Sequence, residues 1–202
     1  MDNNQYNRIS SQVKDFFNEC AADWDTRGKA CPEKQQAIVT LAGLQPGAKV
    51  ADIACGTGVM LPALLACNPS DILGIDLSEQ MIAAARQKFN GTCAHFVVAD
   101  LFDVTEQEFD LALIYNAYPH FPDKARLVRH VYGMLKPGGR LMIAHGASRE
   151  QVNGVHGGKT VSTISWPLLA AEEEAKELRD YFTVDIIADT SQIYIISGIK
   201  LQ

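Results

Sequence analysis

From residue 48 onward, short strand-like runs alternate with helical patterns, and that alternation constrains the fold more than any other feature. Residues 49–54 (KVADIA) form an apolar run that ends in Cys55-Gly56-Thr57-Gly58. A helix is expected from there to about Ala66. Residues 71–75 read as a second strand. Ser78 then opens a helix to about Phe89, as a good N-cap with Met81, Ile82 and Ala85 at helical spacing. Residues 94–98 read as a third strand. Residues 109–115 read as a fourth, apolar on both faces as a central parallel strand is. A helix over 124–135 and a Pro137-Gly138-Gly139 turn lead to a fifth strand at 140–145. A polar-faced helix over 172–181 and two strands at 183–188 and 192–199 close the chain, the last pair joined by Asp189-Thr190-Ser191 and expected to be antiparallel. Strands and helices in this rhythm imply an α/β fold with a doubly wound parallel sheet.

Residues 1–47 are expected to form an N-terminal helical cap segment, with Pro46-Gly47 as the junction to a core over 48–202. The connection over 146–169 is long for a compact domain, and such connections are usually functional or partly ordered. Eighteen Lys and Arg against 24 Asp and Glu leave a net charge of −6, which argues against nucleic-acid and anionic-membrane partners. The five cysteines include no C-x-x-C pair and no zinc-site spacing, so no metal is expected. The polar, acidic start is unlike a secretory signal, and the longest apolar runs are too short to span a bilayer. A cytoplasmic protein, monomeric or homodimeric, is the expectation.

Glycines after a buried strand let the backbone turn sharply and approach a ligand. Asp76, twenty residues after Gly56, stands where an acid accepts hydrogen bonds from both hydroxyls of an adenosine ribose. A nicotinamide dinucleotide wants a third small residue, but Leu61 occupies that place, and Asp52 is ill placed beside a pyrophosphate. A cationic, phosphate-free cofactor such as S-adenosylmethionine suits an acid there better. Without any ligand, the same residues would simply form a turn and a helix cap.

Taken together, five segments resemble class I S-adenosylmethionine-dependent methyltransferases of the small-molecule type. They are Asp52-Ile53-Ala54-Cys55-Gly56-Thr57-Gly58, Ile75-Asp76-Leu77-Ser78-Glu79-Gln80-Met81, Val98-Ala99-Asp100-Leu101, residues 109–116, and Leu135-Lys136-Pro137-Gly138-Gly139-Arg140-Leu141. The resemblance covers about residues 40–146. It implies a Rossmann-like, doubly wound, seven-stranded sheet, mostly parallel with the last strand antiparallel, and S-adenosylmethionine as cofactor. Carried over position by position, it implies that Asp52, Ala54, Gly56 and Gly58 line the methionine side. Asp76 and Leu77 would take the ribose, Asp100 and Leu101 the adenine, and Tyr115 and Asn116 would border the methyl group and the substrate.

The reaction implied is an in-line displacement at a sulfonium methyl, in which the protein holds the nucleophile collinear with the breaking bond. A base is needed only where the nucleophile must lose a proton. His145, His120 and Tyr115 are the candidate catalytic residues, with His156 a weaker one. His95 and His130 are read as structural. Gly157-Gly158-Lys159-Thr160 only mimics the end of a phosphate loop, since Asn153 stands where its first glycine belongs. Glu172, Glu173 and Glu174 are expected to be a solvated first helical turn. Cys55 is expected to pack. Tyr6, Arg8, Phe16, Phe17 and Trp24, and later Trp166, Pro167 and Leu168, are lid candidates. The expected partner is a small-molecule methyl acceptor. The alternatives are a non-catalytic S-adenosylmethionine-binding protein, a quinone-ring C-methyltransferase, and a nicotinamide-dependent oxidoreductase. The segment Ala117-Tyr118-Pro119-His120-Phe121 departs from the quinone pattern.

Overall fold

The computed structural model describes residues 1–27, 31–156 and 163–201. Helices α1 (Asn3–Cys20), α2 (Trp24–Arg27) and α3 (Pro32–Leu41) precede strand β1 (Lys49–Ile53). There follow α4 (Leu61–Leu65), β2 (Asp71–Asp76), α5 (Glu79–Lys88), β3 (Ala94–Val98) and β4 (Phe109–Tyr115). Then come α6 (Lys124–Met134), β5 (Leu135–His145), α7 (Arg149–His156), α8 (Ala171–Glu174), β6 (Phe182–Asp189) and β7 (Tyr194–Lys200). The strands form one seven-stranded sheet in the order β3-β2-β1-β4-β5-β7-β6, with β7 antiparallel to both of its neighbours. This is the doubly wound α/β fold expected from the sequence.

The chain divides into two compact units, residues 1–105 and 106–202. In the first, β1 and β2 bury Val50, Ala51, Ile53, Ile72, Leu73 and Ile75, while Leu61, Leu64, Met81 and Ile82 on the helices are also inaccessible. Burying each such side chain is worth roughly 1.5–3 kcal/mol. Ser78 caps α5 as expected, its Oγ accepting the Met81 N–H at 3.1 Å. In the second unit, Leu111, Leu113, Leu141, Ile143, Ile195 and Ile196 fill the strands. Leu127, Val128 and Val131 line the buried side of α6, which Asp123 caps through the Arg126 N–H.

Three local expectations change. The helix after the glycine turn begins only at Leu61, because residues 57–60 remain in turns and Pro62 stands at its start. Pro137-Gly138-Gly139 lies within β5: Phe109 pairs with Leu135 and Leu111 with Arg140, so these residues bulge from a continuing strand. The helix at 172–181 is split into α8 and a 3-10 turn over Ala175–Leu178. Glu174 there is 2 % exposed, which corrects the expectation of a solvated acidic turn. Its carboxylate pairs with Lys124, accepts the Tyr118 hydroxyl at 3.3 Å and accepts the Leu169 N–H at 3.1 Å. Satisfying its lone pairs in this way is what makes a buried charge tolerable. Among the described residues, no helix is long and apolar enough to cross a membrane.

Candidate cofactor and acceptor sites

In the first unit the carboxyl ends of β1, β2 and β3 carry eight of the expected site residues: Asp52, Ala54, Gly56, Gly58, Asp76, Leu77, Asp100 and Leu101. The chain leaves β1 through Ala54 at φ +54°, a left-handed conformation that costs an alanine energy and is tolerated where surrounding structure holds it. Gly56 and Gly58 follow at φ +55° and +86°. A Cβ on Gly58 would stand 2.6 Å from the Phe89 ring, so only glycine fits that corner. Leu61 is fully buried, packed close to Gly58.

Two acids meet at this turn. Asp76 accepts the Gly56 N–H at 2.8 Å and the Ser78 N–H at 2.9 Å. Burial raises its pKa, and the backbone N–H groups of Ser78, Gly56 and Leu77 partly offset that rise. Asp52 is 1 % exposed, and its Oδ2 has no hydrogen-bond partner among the described residues. Burial, followed by the Asp76 charge, pushes its pKa up to about 8. Burial and the same two carboxylates hold the Cys55 thiol well above its ordinary pKa, so it stays neutral and packs.

The N-terminal helices lie over these strand ends. Tyr6 donates its hydroxyl to Asp100 at 2.8 Å. Ser78 donates its hydroxyl to Asn18 at 2.6 Å, and Thr57 donates to Asp25 at 2.5 Å. Trp24 comes close to Gly56, with its indole nitrogen 3.8 Å from where a Cβ would stand. Phe16, Phe17 and Trp24 stack edge to face at 5.2 and 5.4 Å. Arg8 is exposed on the surface. Ser10, Asn18 and Asp25 were not legible as site residues, since isolated polar residues on a helix carry no signal of what they will meet.

In the second unit, Tyr115, Asn116, His120 and His145 lie at or after the carboxyl ends of β4 and β5. Asn116 adopts φ +56°; its Oδ1 accepts the Gly146 N–H at 3.0 Å and its own N–H donates to Ala144 at 2.9 Å. Tyr115 is buried with its hydroxyl against Gly146. His145 is 1 % exposed and meets the Tyr194 ring edge-on at 5.9 Å. His120 is half-buried, with Nδ1 3.0 Å from the Ile164 carbonyl oxygen. Trp166 donates its N–H to Pro119 at 2.8 Å, and Leu168 is buried and held by Asn153, so the 163–168 segment straps the turn bearing His120. His156 ends α7, and Gly157-Gly158-Lys159-Thr160 lies outside the described residues. Among the described residues, no group of three or more His, Cys, Asp or Glu is placed to hold a metal.

Residues 50–139 match the family model described as a methyltransferase domain. Over 115 residues, 55 % of this chain and 24 % of the relative, the chain is 35 % identical to phosphoethanolamine N-methyltransferase 3 of Arabidopsis thaliana. Over 103 residues, 48 % of this chain and 44 % of the relative, it is 28 % identical to the ubiquinone biosynthesis O-methyltransferase of Pseudomonas savastanoi pv. phaseolicola. The chain thus spans less than half the length of these curated relatives. The fold is shared with a chain of a complex that contains the Haloferax volcanii Trm112 methyltransferase activator. That match has TM-score 0.77 and 21 % identity, covering 92 % of this chain and 98 % of the other. It is also shared with the magnesium protoporphyrin IX methyltransferase of Synechocystis PCC 6803, solved with bound S-adenosylmethionine. Here the TM-score is 0.69 and the identity 20 %, covering 95 % and 97 %.

Proposed function

We propose that this chain transfers a methyl group from S-adenosylmethionine to a small-molecule acceptor through a nitrogen or oxygen atom. The observation that carries the reading is the glycine turn bonded to the half-buried Asp76 and backed by the buried Asp52, whose Oδ2 has no hydrogen-bond partner among the described residues. The residues fit a cationic, phosphate-free adenosyl cofactor. Asp52 offers an ammonium group a buried oxygen that has no partner among the described residues, and Asp76 keeps lone pairs for ribose hydroxyls. Asp100 and Leu101 would take the adenine. When bound, the cofactor supplies an electrophilic methyl group.

His120 is the favoured base. The Ile164 carbonyl can only accept, so Nδ1 donates to it, and Nε2 is the nitrogen that would take a proton. From there it takes the proton that an amine or hydroxyl acceptor must lose as its bond to carbon forms. His145, enclosed against Tyr194, and Asn116, which joins β4 to the turn after β5, position the acceptor side; Tyr115 walls it. The phosphoethanolamine N-methyltransferase and ubiquinone O-methyltransferase relatives support an acceptor atom that starts with a proton. Labelled methyl transfer to panels of primary amines and phenols tests the reading. Transfer to one panel, lost in His120→Ala, is the expected result. Cofactor binding with no transfer to any acceptor would replace it with the non-catalytic binding reading.

A further inference from the structure

Helix α1 buries only Ile9, Val13 and Cys20, so apolar packing holds it weakly. Among the described residues, two of its hydroxyls converge on one side chain just after β3, Asp100. The Tyr6 hydroxyl lies 3.0 and 2.8 Å from the two oxygens of Asp100, and the Ser10 hydroxyl donates to Oδ2 at 3.2 Å. The Phe102 N–H donates to Oδ1 at 3.0 Å, and the Tyr6 and Phe102 rings meet edge to face at 5.5 Å. All of these groups belong to the first unit. A carboxylate offers about four acceptor positions. Among the described residues, three donors therefore leave about one position open.

We propose that Tyr6 and Ser10 are positioning residues for the cofactor, holding Asp100 so that its remaining lone pair takes the adenine amino group. Docking of α1 and binding of the adenosyl end are then one coupled event. The inference rests on the reading of Asp100 as the adenine ligand. The remaining ties reinforce it: Asn18 reaches Ser78, two residues beyond Asp76, and Asp25 reaches Thr57 between the two glycines, so each cofactor-side strand end carries a tether from residues 1–27. Coupling of this kind is reciprocal: whatever α1 adds to cofactor affinity, the cofactor adds to the docking of α1.

The test measures binding of S-adenosylhomocysteine and of S-inosylhomocysteine, in which a carbonyl oxygen replaces the adenine amino group. It uses the full chain, Tyr6→Phe and Ser10→Ala, with hydrogen exchange over residues 3–20. Tyr6→Phe should weaken S-adenosylhomocysteine about tenfold and speed its release, with a smaller loss in Ser10→Ala. With the inosyl compound the Tyr6→Phe loss should shrink to within about twofold, since its carbonyl cannot donate to Asp100. Bound S-adenosylhomocysteine should slow exchange across α1 in the wild type, and less in Tyr6→Phe. Equal losses for both ligands, or unchanged affinity in Tyr6→Phe, would overturn the inference. A wild type that binds neither compound would overturn the cofactor reading, and the inference with it.

Discussion

Affinity for S-adenosylmethionine should climb with pH between about pH 6 and 7.5, because Asp52 must lose a proton to face a cation. Its carboxyl is buried beside Asp76 and its pKa is pushed up to about 8. Below that pH the free protein holds the neutral acid. Ionising it to pair with the ammonium of the ligand costs about 1.4 kcal/mol for each pH unit below the pKa. The cost is therefore about 2.7 kcal/mol at pH 6 and about 1.4 kcal/mol at pH 7, or roughly a tenfold gain in affinity per unit. Over this window the α-amino group of the ligand stays largely protonated. Titration calorimetry in two buffers of different ionisation enthalpy reads both the slope and the proton released on binding. Asp52→Asn should flatten the slope and weaken binding at the upper end. A dissociation constant unchanged across the window, or a slope that survives in Asp52→Asn, would refute the reasoning. The same shift acts on folding. A carboxyl whose folded pKa exceeds its unfolded value stabilises most at low pH, and that contribution is lost as pH rises from about 4 through about 8. The ligand-free protein should lose stability across that range, and Asp52→Asn should lose less.

His120→Ala should lower turnover about 10²–10⁴-fold with cofactor affinity kept, measured by labelled methyl transfer; an unaffected rate would remove the base from the account. Lys124→Met should cost about 3–5 kcal/mol in denaturant unfolding, because it strands the Glu174 carboxylate beside Tyr118. Adding Glu174→Gln should recover much of that loss. Gly58→Ala should lower both stability and cofactor affinity, since it meets the Phe89 ring and a left-handed backbone together, at a cost of about 1–3 kcal/mol.

The parallel strands were legible because burial on both faces leaves unbroken apolar runs. Residues 94–98 and 109–115 are strands at the expected bounds, and Ser78 caps the helix it was expected to cap. The glycine turn was legible because Gly58 has no substitute where Phe89 crowds it. The left-handed Ala54 and Asn116 were not, since neither residue type announces positive φ as glycine does. Glu174 was misread for a related reason: three successive acids at a helix start look solvated, and only the tertiary arrival of Lys124 and Tyr118 makes the third one buried. Asp100 shows the same limit. Its motif implies an adenine ligand, but nothing in residues 1–20 announces that Tyr6 and Ser10 will reach it from ninety residues away.

Titration of the purified chain with S-adenosylmethionine, S-adenosylhomocysteine and NADH in parallel tests the central claim most directly. The account predicts micromolar binding of both adenosyl sulfur compounds and none of NADH. Binding of NADH with silence from the other two would contradict it.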